Sequence, residues 1–120
     1  MIIAIDFDNT LAYTEYPVII KPVKAMITYC LDMKSEGHTL ILNTCRCGEF
    51  LEEAVRFCWS YGLEFDYINE NSAGRIAKFG GDSRKISADL YIDDLSVSPI
   101  DTYLHDQKQK IWLDLIKKGI

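Results

Sequence analysis

The sequence predicts a three-layer α/β domain built on a central parallel sheet. Three observations carry that expectation. Short, β-branched apolar runs end abruptly in polar residues, as Ile2-Ile3-Ala4-Ile5 does at Asp6 and Leu90-Tyr91-Ile92 does at Asp93. Segments with helical apolar spacing lie between such runs. Glycines stand where those helices would stop. Strands that alternate with helices make right-handed βαβ units, whose crossovers cover a parallel sheet on both faces.

Taken in order, residues 2–6 read as a buried strand, short and bounded by polar residues. Residues 11–22 read as irregular, with Pro17 and Pro22 as breakers. Val23 to Ser35 places apolar residues at 23, 26, 27, 30, 31 and 33, a helical period, and Gly37 follows as a C-terminal stop. His38 to Leu42 is a second buried strand ending at Asn43-Thr44. Glu49 to Tyr61 is a helix with acids in its first turn and Gly62 after it. Phe65 to Ile68 is a short third strand. Residues 69–84 are polar and contain Gly74, Gly80 and Gly81, which suits a loop or a weak helix. Ala88 to Ile92 is the fourth strand, and Gln107 to Lys118 is an amphipathic helix with Ile111, Trp112, Leu115 and Ile116 inward.

At 120 residues the chain can build one core but not two, so residues 1–120 are expected to form a single domain. No apolar run approaches bilayer length, and Met1-Ile2-Ile3 lacks a basic leader before the run meets Asp6, which predicts no membrane span, no signal peptide and a cytoplasmic location. The net charge of −5 argues against nucleic acid as the main partner, because phosphate backbones favour basic surfaces. Cys30, Cys45, Cys47 and Cys58 fit neither a zinc-site spacing nor a small disulfide framework and are expected to be reduced thiols.

The acids at the strand ends carry the chemistry. Asp6 and Asp8 close the first strand; Asp93 and Asp94 close the fourth. In a parallel sheet these ends lie together, where open α/β folds keep their ligand site. Two like charges ~4 Å apart at an effective dielectric of ~20 repel by about 4 kcal/mol, so a divalent cation is needed to hold such a group around an anionic substrate. Hard carboxylate oxygens suit Mg²⁺. One carboxylate is then available as a nucleophile and the other as a general acid/base. Thr44, at the end of the second strand, offers a hydroxyl and following N–H groups to a phosphoryl oxygen. Arg46 is either a fork for an anionic group of the substrate or a surface arginine. A lysine is needed to offset charge; Lys85, tied to the strand that carries Asp93, is favoured over Lys78.

These residues, in this order, resemble the haloacid dehalogenase (HAD) superfamily. Its first motif, DxDx[TV], is matched by Asp6-Phe7-Asp8-Asn9-Thr10, with Asn9 where glycine is frequent. The motif that follows, an apolar strand ending in Thr or Ser, is similar to Leu40-Ile41-Leu42-Asn43-Thr44. The third motif is a lysine, matched by Lys85 or less well by Lys78, and the fourth is matched by Tyr91-Ile92-Asp93-Asp94. The resemblance implies a Rossmann-like HAD fold and a phosphatase. Asp6 would form an aspartyl-phosphate. Asp8 would protonate the leaving oxygen and then activate water. Mg²⁺ would be held by the Asp6 carboxylate, the Asp8 carbonyl and Asp93, with Asp94 in support, while Thr44 and Lys85 bind the phosphoryl group. An acid at position 8 points to phosphatase or phosphomutase rather than to carbon–halogen cleavage or ion pumping.

Many such enzymes carry a cap domain, for which this chain has no room; residues 12–22 suffice only for a short flap. A capless site implies a phosphorylated substrate, small or macromolecular, with the cover supplied by a large substrate or by a second protomer in a homo-oligomer. The spare aromatics Tyr13, Tyr16, Tyr103 and Trp112 suit such a contact. The competing class is a phosphorylatable receiver-like signalling module, or a phosphate-binding module without turnover. In a receiver the phosphorylated aspartate would close the third strand, where this chain has Ile68-Asn69-Glu70. A cysteine phosphatase is excluded because Leu51 and Glu53 stand where the arginine would be needed. The absence of GxxxxGK[ST] excludes a P-loop enzyme. His38 and His105 are expected to be structural.

Overall fold

β-Branched and leucine-rich runs, apolar on both faces, are suited to the middle of a parallel sheet and to nothing exposed. The computed structural model, which describes residues 1–96 and 117–119, places them there. Strands β1 (Ile2–Ile5), β4 (Thr39–Leu42), β5 (Tyr67–Ile68) and β6 (Leu90–Ile92) form one four-stranded sheet in the order β5-β4-β1-β6. Every pairing in it is parallel, with Ile5 opposite Leu42 on one side and Ile92 on the other. Outside this sheet lie the strands β2 (Ala12–Glu15) and β3 (Val18–Pro22), an antiparallel pair.

Alternation along the strands divides the core. Ile3, Ile5, Leu40 and Leu42 face the helices α1 (Lys24–Ser35) and α2 (Gly48–Ser60), packing with Ile27, Cys30, Ala54, Cys58 and Leu63. Ala4 and Ile41 point to the other face and meet Ile86, with Tyr67 and Ala88 beside them. Both helices end as their glycines predict. Gly37 takes φ +88° and Gly62 φ +80°. The N–H groups of Gly37 and His38 reach back to Lys34 and Met33, and those of Gly62 and Leu63 to Trp59 and Cys58. That paired pattern satisfies the last carbonyls of each helix.

Residues 11–22, expected to be irregular, are instead the β2–β3 hairpin, with Tyr16 and Pro17 at its turn. Pro22 is tolerated because it closes the second strand. Within 69–84 the polar stretch resolves into a seven-residue helix, α3 (Ala73–Phe79), with Ser72 accepting from the Arg75 N–H and Gly80 in the left-handed region. All four cysteines are free, Cys30 and Cys58 buried and Cys45 and Cys47 exposed. Among the described residues no helix is long and apolar enough to cross a membrane. Of the helix expected at Gln107 to Lys118 only Lys117 and Lys118 are described, and Tyr103, His105 and Trp112 lie outside the described residues.

Counting only the strands of the main sheet, the order is 3-2-1-4. The chain runs outward from β1 through β4 to β5, then returns to the opposite side of β1 as β6. Strand order reverses between β1 and β6, and the crevice beyond the carboxyl ends of the strands at such a reversal is the usual ligand site of open α/β sheets.

Candidate functional site

Asp6 and the Asp93-Asp94 pair flank that crevice. The Asp6 N–H donates to the Ile92 carbonyl (2.9 Å) and the Asn43 N–H to that of Ile5 (2.8 Å), so the ladder carries the three strand ends to one level. Ligand oxygens of Asp6, Asp93 and Asp94 lie within 4.8 Å of one another, Asp6 half-buried and the other two exposed. Asp6 accepts the N–H of Phe7 (2.8 Å) and Asp93 that of Leu95 (2.9 Å). Among the described residues no cation pairs with any of the three. Burial raises the Asp6 carboxyl to about 6; the Phe7 N–H opposes this, and the charges of Asp93, Asp94 and Asp8 add to it. An all-carboxylate set of crowded like charges, left without a counterion by the described residues, fits a hard divalent cation such as Mg²⁺.

Asp8 lies apart from this group and meets a different partner. The Arg46 guanidinium forks onto it, Nε to Oδ2 at 2.9 Å and Nη2 to Oδ1 at 2.8 Å, while the Thr14 hydroxyl donates to Oδ1 at 2.8 Å. Burial works to raise the Asp8 carboxyl, but these hydrogen bonds and the arginine charge prevail and hold it below the usual carboxylate range. After Asp8 the chain turns tightly, the N–H groups of Thr10, Leu11 and Ala12 all reaching the Phe7 carbonyl. Asn9 takes φ +55° in that turn. The left-handed region is where glycine is best suited and asparagine is tolerated.

Thr44 closes β4 on the other side of Asp6. Its N–H donates to Asn69 Oδ1 (2.8 Å), and its hydroxyl accepts from the Arg46 N–H (3.1 Å). Asn69 closes β5 at φ +52°. The main chain at Lys85 is fixed by the buried Asn71, whose Nδ2 donates to Asp82 Oδ1, Ser83 O and Lys85 O and whose Oδ1 accepts from the Ser87 N–H. The Lys85 side chain is exposed, and the Lys78 ammonium lies over the ring of its neighbour Phe79. Neither lysine is paired with an acid among the described residues.

The structure thus brings Asp6, Asp93 and Asp94 together, sets Thr44 one strand away, and ties Asp8 to Arg46 and Thr14. Arg46 is not at the surface: its side chain is wholly buried and each of its three nitrogens donates within the protein. Sequence reasoning missed Thr14 and Asn71, because their partners depend on a hairpin and a loop that no periodic signal announces. No family model matches the chain, and no curated protein does. One solved structure, of a conserved protein from Bacteroides thetaiotaomicron, is similar at 34% identity with a TM-score of 0.72, the match covering 100% of this chain and 92% of that one.

Proposed function

This chain belongs to one family with the conserved Bacteroides thetaiotaomicron protein, and for its acidic site we propose the activity of a HAD-type, Mg²⁺-dependent phosphohydrolase acting on a phosphomonoester. The observation that carries the reading is the convergence of Asp6, Asp93 and Asp94 at the strand-order reversal of a parallel sheet. Mg²⁺ would be held by the Asp6 and Asp93 carboxylates and the Asp8 carbonyl, with Asp94 in support, and would offset the charge that a phosphate brings to these acids.

Asp6 and Asp8 divide the work. An Asp6 oxygen would attack phosphorus as the bond to the leaving oxygen breaks, and that oxygen would take its proton from Asp8, which must be protonated for this step against the pull of Arg46 and Thr14. The Asp8 carboxylate then takes a proton from water as the water oxygen attacks the aspartyl-phosphate, freeing inorganic phosphate and restoring Asp6. Thr44 and Lys85 are assigned to the phosphoryl oxygens. Two features favour turnover over a receiver-like module. The sheet order differs from the 2-1-3-4-5 order typical of receivers, and the third strand of the sheet ends in Asn69 rather than an aspartate. Among the described residues the β2–β3 hairpin is the element tied to Asp8, and the cover is assigned to the substrate itself or to a second protomer.

The test is phosphate release from a series of aryl phosphates with Mg²⁺ and with chelator. Release that needs Mg²⁺ and vanishes in Asp6→Asn is the expected result. Undiminished release in chelator overturns the reading. A phosphoryl group that accumulates on Asp6 without turnover favours the signalling module.

A further inference from the structure

Arg46 is the largest fully buried side chain among the described residues. Taking a guanidinium out of water costs several kcal/mol, and a well-packed apolar residue of similar volume is often as stable or more so. What surrounds this one is specific. Besides the fork onto Asp8, Nη1 donates to the Phe50 carbonyl (3.2 Å) and Nη2 to the Pro17 carbonyl (3.1 Å). The guanidinium carbon lies 5.0 Å from the centre of the Phe7 ring and 5.2 Å from that of Tyr16. One planar group therefore joins three pieces of chain: the turn after β1 through Asp8, the hairpin through Pro17 and Tyr16, and the first turn of α2 through Phe50. Thr14 adds a second tie from the hairpin to the same carboxylate.

These bonds leave Arg46 no free fork to offer a substrate. The two Asp8 oxygens, in contrast, are fixed in plane and in direction by donors from two sides. A bidentate pair of this kind supplies orientation as well as energy, and lysine cannot reproduce it. We propose that Arg46 is a positioning residue, not a substrate ligand: it clamps the Asp8 carboxyl between α2 and the β2–β3 hairpin and so aims it at the leaving group. The proposal rests on the reading of Asp8 as the general acid/base. It makes the hairpin the element that registers the leaving group, because any displacement of Pro17 or Tyr16 is passed through Arg46 to Asp8.

The experiment compares wild type, Arg46→Met and Arg46→Lys on phenyl phosphate and on 2,4-dinitrophenyl phosphate, with Mg²⁺ present and folding checked by circular dichroism. Phenoxide needs a proton as it leaves; dinitrophenoxide does not. With Asp8 misaimed, kcat for phenyl phosphate should fall about 10²-fold while that for the dinitrophenyl ester falls about threefold and KM for both stays within about twofold. Arg46→Lys should follow Arg46→Met, since one ammonium cannot hold both Asp8 oxygens and two carbonyls. Equal losses on the two esters would mean a merely structural role, and a rise in KM on both would mean a phosphoryl ligand; either overturns the proposal. Should the Arg46 variants fail to fold, Thr14→Val, at a partly exposed position, must show the same bias toward loss on phenyl phosphate, and an unbiased effect overturns the clamp. A wild type inactive on every aryl phosphate sinks the phosphohydrolase reading and this role with it, whereas an active wild type with unbiased variants sinks the clamp alone.

Discussion

Asp6 and Asp8 are two residues apart on one chain, and their surroundings drive their ionisation in opposite directions. Burial, then the charges of Asp93, Asp94 and Asp8, raise Asp6 to about 6 against the pull of the Phe7 N–H. Asp8 is held low by Arg46 and Thr14 in spite of burial. A carboxyl whose folded pKa is raised weakens the fold above that value, and the penalty fades as pH falls from about 6 through the ordinary 3.8. Allowing for solvent screening at a half-buried group, the penalty at neutral pH is about 1–2 kcal/mol. Asp6→Asn is therefore expected to raise the melting temperature of the chelated protein at pH 8 and to lose that advantage at pH 4. Added Mg²⁺ should reverse the order, stabilising only the chain that keeps Asp6. Thermal melts at the two pH values, with and without Mg²⁺, check it; equal wild-type and variant melts at pH 8 in chelator would refute the crowding of charge. Asp8 has the opposite sign, its stabilisation being present above the ordinary carboxylate pKa and lost as pH falls toward its lowered value. The four acids were legible in the sequence because they stand at the ends of two apolar runs. The partition between them was not, since Arg46 is 38 residues from Asp8 and Thr14 lies on a strand that the sequence did not announce.

At the scale of elements, legibility followed burial. β1, β4 and β6 were readable as unbroken apolar runs, and α1 and α2 as helical periods closed by glycines. The hairpin was not, because β2 and β3 each bury little and so show no period of two. Its place is set by Thr14 and Pro17 at Asp8 and Arg46. The segment after α3 was equally opaque, because it is organised by one buried side chain. Asn71 holds the backbone from Asp82 to Ser87 and with it Lys85. Asn71→Ala deletes four part-buried hydrogen bonds, to Asp82, Ser83, Lys85 and Ser87, and should cost about 2–3 kcal/mol. Lys85→Met should lower kcat/KM on an aryl phosphate by about 10²-fold, as expected for loss of a charge-stabilising donor. Asn71→Ala should reduce kcat/KM in the same sense, while Lys78→Met stays within about threefold of wild type. Steady-state kinetics on the three variants decide it. A large loss confined to Lys78→Met would move the phosphoryl contact onto α3.

Across the whole molecule, the sheet order and the surface around the carboxyl ends of its strands would decide how the proposed site meets a substrate. That β1 and β6 are neighbours is a finding of the structure, but the alternation of strands and helices along the sequence already placed their carboxyl ends at a common edge of a parallel sheet. What it could not supply was the surface around that edge. The hairpin exposes Tyr13, Tyr16, Val18 and Ile20, and Phe50 of α2 is exposed beside them, with Tyr16 and Phe50 in edge-to-face contact at 5.9 Å. These residues lie on the hairpin that Arg46 ties to Asp8 and beside it, and this exposed apolar patch is where the proposed cover would sit. A second copy of the chain is the cover that needs no added length, and a two-fold contact is the commonest closed arrangement. The expected outcome is a dimer by light scattering at micromolar concentration, with Ile20→Glu returning the protein to monomer and slowing release of phosphate from a small aryl ester more than from a phosphorylated protein. A wild type that is monomeric and fully active on the small ester would reject the dimer. A monomer active only on the phosphorylated protein would assign the cover to the substrate, which would then supply the apolar surface that the hairpin meets.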